Sequence, residues 1–185
     1  MKKIYVIAFF GKSGAGKDTL LDRLAVTGLY NKIKMTTTRP MRDYEIDGVH
    51  YNFTDTTSFA EKVLNGDFVE ATSFNDWWYG TDIHELKEDM INVGAFSIHG
   101  IECMLEDPRL EVFPVYVMAT DKTRLLRNLN REDNPNCHEI CRRYFTDDKD
   151  FCEIPFEYYP FNNNNDGDHI NRIHEFIKQI QNDGD

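Results

Sequence analysis

Cysteine is scarce in this chain. Cys103, Cys137, Cys141 and Cys152 are its four thiols among 185 residues, at irregular intervals. That excludes a disulfide scaffold and makes reduced thiols in a cytoplasmic protein the expectation. Cys137, His138 and Cys141, with Cys152 farther on, form one loose group where a structural zinc site needs two tight ligand pairs, so they are not read as a metal centre. No stretch approaches the roughly 18 apolar residues of a membrane span. Met1-Lys2-Lys3 before the apolar run Ile4 to Phe10 imitates a secretory leader, but Gly11-Lys12 ends the run and no small-x-small site follows; it reads as a buried first strand. Positive charge is also in deficit: 21 Lys and Arg face 32 Asp and Glu, for a net charge of −11. This excludes a broad nucleic-acid or anionic-membrane surface, and any anionic ligand must be met by a local cluster of cations.

What is present is core material. Hydrophobic residues make up 41% and aromatics 13% of the composition, enough for one domain over 1–185 and too little length for two cores. Apolar spacing places a strand at Ile4–Phe10 and a helix at Lys17–Leu29. Lys32–Thr36 reads as a second strand, and Tyr51–Phe53, Phe68–Ala71 and Trp77–Tyr79 as short strands of a small antiparallel insertion. Helices are expected at Ser58–Leu64, capped by Ser58, and at Asp82–Asn92. Strands follow at Ala95–Ile98 and Val112–Met118, a helix at Asp121–Asn130, a strand at Glu157–Phe161 and a helix at about Gly167–Gln181. Asn128–Asp150, rich in charge, reads as a mobile flap, and Asn162–Asn165 as a loop. Strands alternating with helices imply an α/β protein with a mostly parallel sheet. Trp77 and Trp78 are assigned to core packing or to the wall of a pocket.

Gly11-Lys12-Ser13-Gly14-Ala15-Gly16-Lys17 lies between the first strand and the first helix, the setting a phosphate-binding loop requires. Glycines let successive N–H groups converge on phosphate oxygens, the helix start adds its dipole, and Lys17 brings a cation to the terminal phosphates. Asp18 and Thr19 follow, where Ser or Thr usually offers Mg²⁺ a hydroxyl directly after the lysine. Asp18 either reaches the metal through its carboxylate or a bridging water, or only caps the helix. The run Gly-Lys-Asp-Thr looks like that of some phage deoxynucleoside monophosphate kinases.

The segment Thr36-Thr37-Thr38-Arg39-Pro40-Met41-Arg42 is followed by Glu45, Gly48, Tyr51 and Phe53, then Phe68-Val69-Glu70 and Tyr79-Gly80-Thr81. Two guanidiniums three positions apart, with phenols nearby, can hold a monophosphate dianion. A carboxylate can accept parallel bonds from guanine N1–H and N2–H, a pair adenine does not offer. In order and spacing these pieces, with the loop, resemble the guanylate kinase family. The resemblance implies a P-loop nucleoside monophosphate kinase fold: a parallel five-stranded core sheet flanked by helices (1–36, 93–130 and 147–185), a small α+β nucleotide-binding insertion (37–92) and a helical lid (131–146). It implies that Arg39, Arg42, Tyr51 and Tyr79 hold the acceptor phosphate and that Glu70 and Thr81 read the base. The chain departs from the family pattern at Met35, for which Thr36 or Thr37 is the substitute, and at Ser97-Ile98-His99-Gly100, where a second acidic base reader is missing. His99 there is either a nucleotide contact or structural.

By the same resemblance Gly11, Ser13, Gly14, Ala15, Gly16, Lys17, Asp18 and Thr19 bind ATP, together with the lid arginines Arg127, Arg131 and Arg142 and with Asn162 near the adenine. Arg127 and Arg131, four apart, are expected to share one helix face, with Arg142 and Arg143 on the next helix. Lys17, Arg39, Arg42, Arg131 and Arg142 are the expected catalytic groups, with ATP and Mg²⁺ as cosubstrate and metal. The implied reaction is phosphoryl transfer to GMP or dGMP by a cytoplasmic monomer or weak homodimer. Two rivals stand beside it, a kinase of broader deoxynucleotide specificity and a non-catalytic binding module of the same fold.

Overall fold

The structure, a computed structural model, describes residues 3–74, 76–131, 134–164 and 169–183. Its centre is a sheet of five strands in the order β2-β7-β1-β8-β9, with every neighbouring pair parallel. The strands are β1 (Ile4–Phe10), β2 (Tyr30–Lys32), β7 (Ile91–Ala95), β8 (Leu110–Met118) and β9 (Tyr159–Asn162). Alternation along β1 divides the core: Ile7 and Phe9 face one layer with Leu20, Leu24, Ile173 and Ile177, whereas Val6, Ala8 and Phe10 face the other with Ile101 and Met104. Helices α1 (Lys17–Val26) and α6 (His169–Asp183) thus cover the first face, and α3 (Ile98–Glu106) the second. A strand buried on both faces reads as a continuous apolar run, which is why β1 and β8 are the most legible elements.

β1 lies between β7 and β8, so the chain departs to opposite sides of it in successive crossovers. In open α/β sheets ligands bind at that reversal, beyond the carboxyl ends of the strands. The phosphate loop follows β1 there.

A second sheet has the order β4-β3-β6-β5, built from β3 (Thr36–Thr37), β4 (Asn52–Phe53), β5 (Phe68–Phe74) and β6 (Trp77–Asp82), with α2 (Thr56–Asn65) between β4 and β5. It is antiparallel except that β3 and β4 run parallel, because the chain makes a long excursion through residues 38–51 between them. The remaining helices are α4 (Asp121–Leu129) and α5 (Cys137–Asp150).

Several expectations need correction. The second strand is Tyr30–Lys32 rather than Lys32–Thr36: buried Tyr30 enters the core and pairs with Ile91, and the chain leaves the sheet after Ile33 donates to the Val93 carbonyl. Asp55, not Ser58, caps α2, accepting from the Thr57 and Ser58 N–H groups, so the helix starts two residues earlier. Asp82–Asn92 is not a helix but a 3-10 turn at Ile83–Glu85 leading into β7. Fully buried Asn92 fixes that entry, accepting from Lys87 N–H and donating to the Tyr5 and Lys87 carbonyls. Ile98 opens α3 instead of ending a strand, because Ser97 caps the Gly100 N–H. α4 stops at Leu129, which leaves Arg131 beyond the helix and not on a shared face with Arg127. Much of the expected flap is α5, capped by Asn136. All four cysteines are free. Asn165 and Gly167, in the expected last loop and helix start, lie outside the described residues.

Candidate active site

Gly11 follows β1 with φ 145°, and a side chain there would collide with the Val117 backbone carbonyl. Gly16 has φ 92° and forms the left-handed cap of α1, where a Cβ would stand 2.6 Å from Asn163 Nδ2. Only glycine fits both positions. Between them two carbonyls of the loop are held by side chains from α4 and from the turn after β9. Arg124 Nε donates to Ser13 O at 3.0 Å, Arg127 Nη1 to Ala15 O at 3.0 Å, and Asn163 Nδ2 to Ala15 O at 2.7 Å. In a trans peptide the N–H points opposite its carbonyl, so the Gly14 and Gly16 N–H groups are turned away from these donors and left for an anion.

That cleft has a volume of about 910 Å³ and is lined by the loop residues Gly11, Ser13, Gly14, Gly16, Lys17, Asp18 and Thr19, by Arg127, Arg131, Arg142, Arg143 and Asn163, and by Phe74 from the tip of the β5–β6 hairpin. Lys17 Nζ donates to Gly11 O at 2.6 Å. Burial lowers its pKa, opposed by the neighbouring carboxylates of Asp18 and Asp147. Asp18 is exposed and pairs with Arg131 at 3.5 Å across the mouth. Arg142 and Arg143 both bind Glu139, at 2.7 Å each, and hold its carboxyl down to about 2. Asn162, expected near the adenine, accepts from Asn164, while buried Asn163 is the asparagine that faces the cleft. The run of asparagines gave no means of choosing among them.

The residues expected to hold the acceptor gather on and beside the second sheet. Arg39 is buried and forms a two-pronged pair with Glu45, Nη2 to Oε1 at 2.6 Å and Nη1 to Oε2 at 3.0 Å, while stacking over Tyr51 at 5.4 Å. The Arg39 guanidinium lowers the Glu45 carboxyl to about 2. Glu45 also accepts from Arg42 N–H at 2.8 Å, so one carboxylate ties both arginines together. Its place in the pattern was visible in the sequence, its role was not. The Tyr51 and Tyr79 rings lie 6.2 Å apart. Burial raises the Tyr51 phenol, and the neighbouring Tyr79 raises it further. Thr37 is fully buried and braces the fold, donating to Trp78 O and accepting from Arg39 N–H.

Glu70 of β5 is only 3% exposed, and fully buried Thr81 of β6 donates to its Oε1 at 2.7 Å. Burial raises the Glu70 carboxyl to about 7 against the opposing pull of that hydrogen bond. Its Oε2 points toward the start of α3, where Gly100 leaves room: a Cβ there would lie 3.0 Å away. His99 is turned outward, its side chain 70% exposed, with partners Glu102 and Cys103 on its own helix.

The residues fit a magnesium nucleotide. Among the described residues no group of three His, Cys, Asp or Glu side chains could enclose a metal; the exposed Asp18 carboxylate at the cradle mouth is a hard oxygen donor of the kind a magnesium nucleotide accepts.

The guanylate kinase family model matches residues 1–180. The guanylate kinase of Wigglesworthia glossinidia brevipalpis is 29% identical over 170 residues, 87% of this chain and 80% of that protein. That of Helicobacter hepaticus is 38% identical over 106 residues, 54% of this chain and about half, 52%, of its own length. The crystal structure of guanylate kinase from Anaplasma phagocytophilum shares the fold with a TM-score of 0.68 at 20% identity, over 97% of this chain and 88% of that one. The match across nearly the whole sequence establishes that this chain belongs to the guanylate kinase family, whose reaction is the ATP-dependent phosphorylation of GMP.

Proposed function

We propose that this chain transfers the γ-phosphoryl group of ATP to GMP or dGMP, acting on free nucleotides in the cytoplasm as a monomer or weak homodimer. The observation that carries this reading is the buried Glu70–Thr81 pair: a carboxylate kept out of water with one oxygen free fits the N–H edge of guanine. The loop N–H groups and Lys17 hold the donor phosphates. Arg42, Tyr51 and Tyr79 hold the acceptor phosphate, with Arg39 fixed by Glu45 as the base of that pocket. Bound Mg²⁺ would neutralise charge on the donor phosphates, with Asp18 as its protein ligand.

Catalysis is then mostly positioning and charge stabilisation. Arg131 and Arg142 line the donor cleft and are placed to meet charge on the moving phosphoryl group. The acceptor phosphate is already ionised near neutrality and needs no strong base. A coupled assay of ADP release against ribo- and deoxynucleoside monophosphates tests the reading. Turnover confined to guanine nucleotides supports it. Equal rates across bases would favour the broader kinase, and no turnover with any acceptor the binding module.

A further inference from the structure

Helix α5 grips the phosphate loop with carboxylates, an unexpected choice beside a site for a triphosphate. Asp147 Oδ2 accepts from the Ser13 N–H at 2.7 Å, and Lys12 Nζ donates to Asp148 at 2.6 Å. The same Asp147 oxygen accepts from Arg124 Nη2 at 2.6 Å, and Arg124 Nε donates to the Ser13 carbonyl at 3.0 Å. Arg124 is 2% exposed, lies 5.0 Å from the Tyr144 ring and also binds Asp121. One residue of the loop, Ser13, is therefore held at both its N–H and its C=O by a single ion pair that spans α4 and α5, its arginine buried and its carboxylate half-buried. α5 is also the helix that carries Arg142 and Arg143 into the cleft.

We propose that Arg124 and Asp147 are a positioning couple, in which Asp147 docks the arginine-bearing helix on the Ser13 peptide and Arg124 cancels the carboxylate that would otherwise repel the donor triphosphate. The couple rests on the reading of the cleft as the ATP site. It makes the two residues unequal. Without Arg124 a bare carboxylate faces the triphosphate. Without the Asp147 charge the repulsion is gone, and an amide oxygen still accepts from Ser13.

The test measures ATP binding by calorimetry and KM and kcat by the coupled assay, with circular dichroism as the check on folding. Arg124→Met is expected to weaken ATP binding by about tenfold or more while the GMP KM stays within about twofold, because the half-buried Asp147 carboxylate has lost its partner beside the cleft. Asp147→Asn is expected to bind ATP as tightly as the parent chain or more tightly, and remains informative if Arg124→Met does not fold. The double variant Arg124→Met with Asp147→Asn is expected to recover ATP binding to within about threefold of the parent chain. A purely structural pair gives no such recovery. Loss of ATP binding in Asp147→Asn, or a double variant as weak as Arg124→Met, would overturn the couple. Failure of the parent chain to bind ATP would instead overturn the reading of the cleft.

Discussion

Glu70 is a side chain whose burial costs the fold near neutral pH, a cost that its proposed role in base reading explains. Its carboxyl titrates near 7 because burial opposes its charge. Between its unperturbed value of 4.5 and about 7 the folded chain holds the proton more tightly than the unfolded chain. Stability is therefore greatest below that interval and is lost as pH rises through the folded value, by on the order of 3 kcal/mol. On the proposed reading guanine recognition runs the other way, since only the carboxylate accepts both N–H bonds. The GMP affinity should fall about tenfold per pH unit below 7 while ATP affinity stays flat, as calorimetry across pH 5.5 to 8 will show. Glu70→Gln should raise the melting temperature at pH 8 yet weaken GMP at least about tenfold with ATP binding intact. Equal loss for both nucleotides would remove Glu70 from base reading. Asp18 is tested separately: if it is a metal ligand, Asp18→Ala raises the Mg²⁺ concentration for half-maximal rate several-fold, and an unchanged titration leaves it a helix-start residue.

At the scale of elements, what was legible follows burial. β1 and β8 are covered on both faces and announce themselves as apolar runs, and the glycine loop after β1 is required by the backbone rather than by propensity. Gly11→Ala should accordingly cost at least about 2 kcal/mol in denaturant melts and abolish ATP binding, since φ 145° and the Val117 carbonyl both exclude a side chain. Segments whose conformation is set by one polar side chain were misread. Asn92 draws 86–92 into a strand entry, Ser97 starts α3 and Asp55 moves the start of α2, each through bonds to distant or local backbone that periodicity does not carry. The same holds for the site. The pattern from Arg39 to Thr81 was readable as a set of chemical types, but not that Glu45 occupies the Arg39 fork, that Asn163 rather than Asn162 faces the cleft, or that His99 turns outward. Arg124 and Asp147 escaped notice because 111 residues separate Arg124 from its partner in the loop, and both sit in segments whose charge resembles an ordinary solvated surface.

Across the whole molecule, a net charge of −11 repels nucleotides at long range, so binding must depend on short-range cation clusters on two different sheets. The donor cluster follows β1 at the reversal of the central sheet, and the acceptor cluster stands on the second sheet, which residues 33–35 and 83–90 connect to the first. Phosphoryl transfer requires attacking and leaving oxygens roughly in line, so these clusters must face one another across a distance a phosphate chain can bridge. The presence of Phe74, from the tip of the β5–β6 hairpin of the second sheet, in the cleft behind β1 argues that they do. A compound joining adenosine to guanosine through a polyphosphate should then engage both clusters at once and gain from the high effective concentration of its second half. At equal micromolar concentration it should raise the melting temperature by more than ATP and GMP added together, because stabilisation grows with the logarithm of occupancy relative to Kd. A rise no greater than that produced by ATP alone would mean that the two clusters open onto separate surfaces, and an in-line transfer between them would be ruled out.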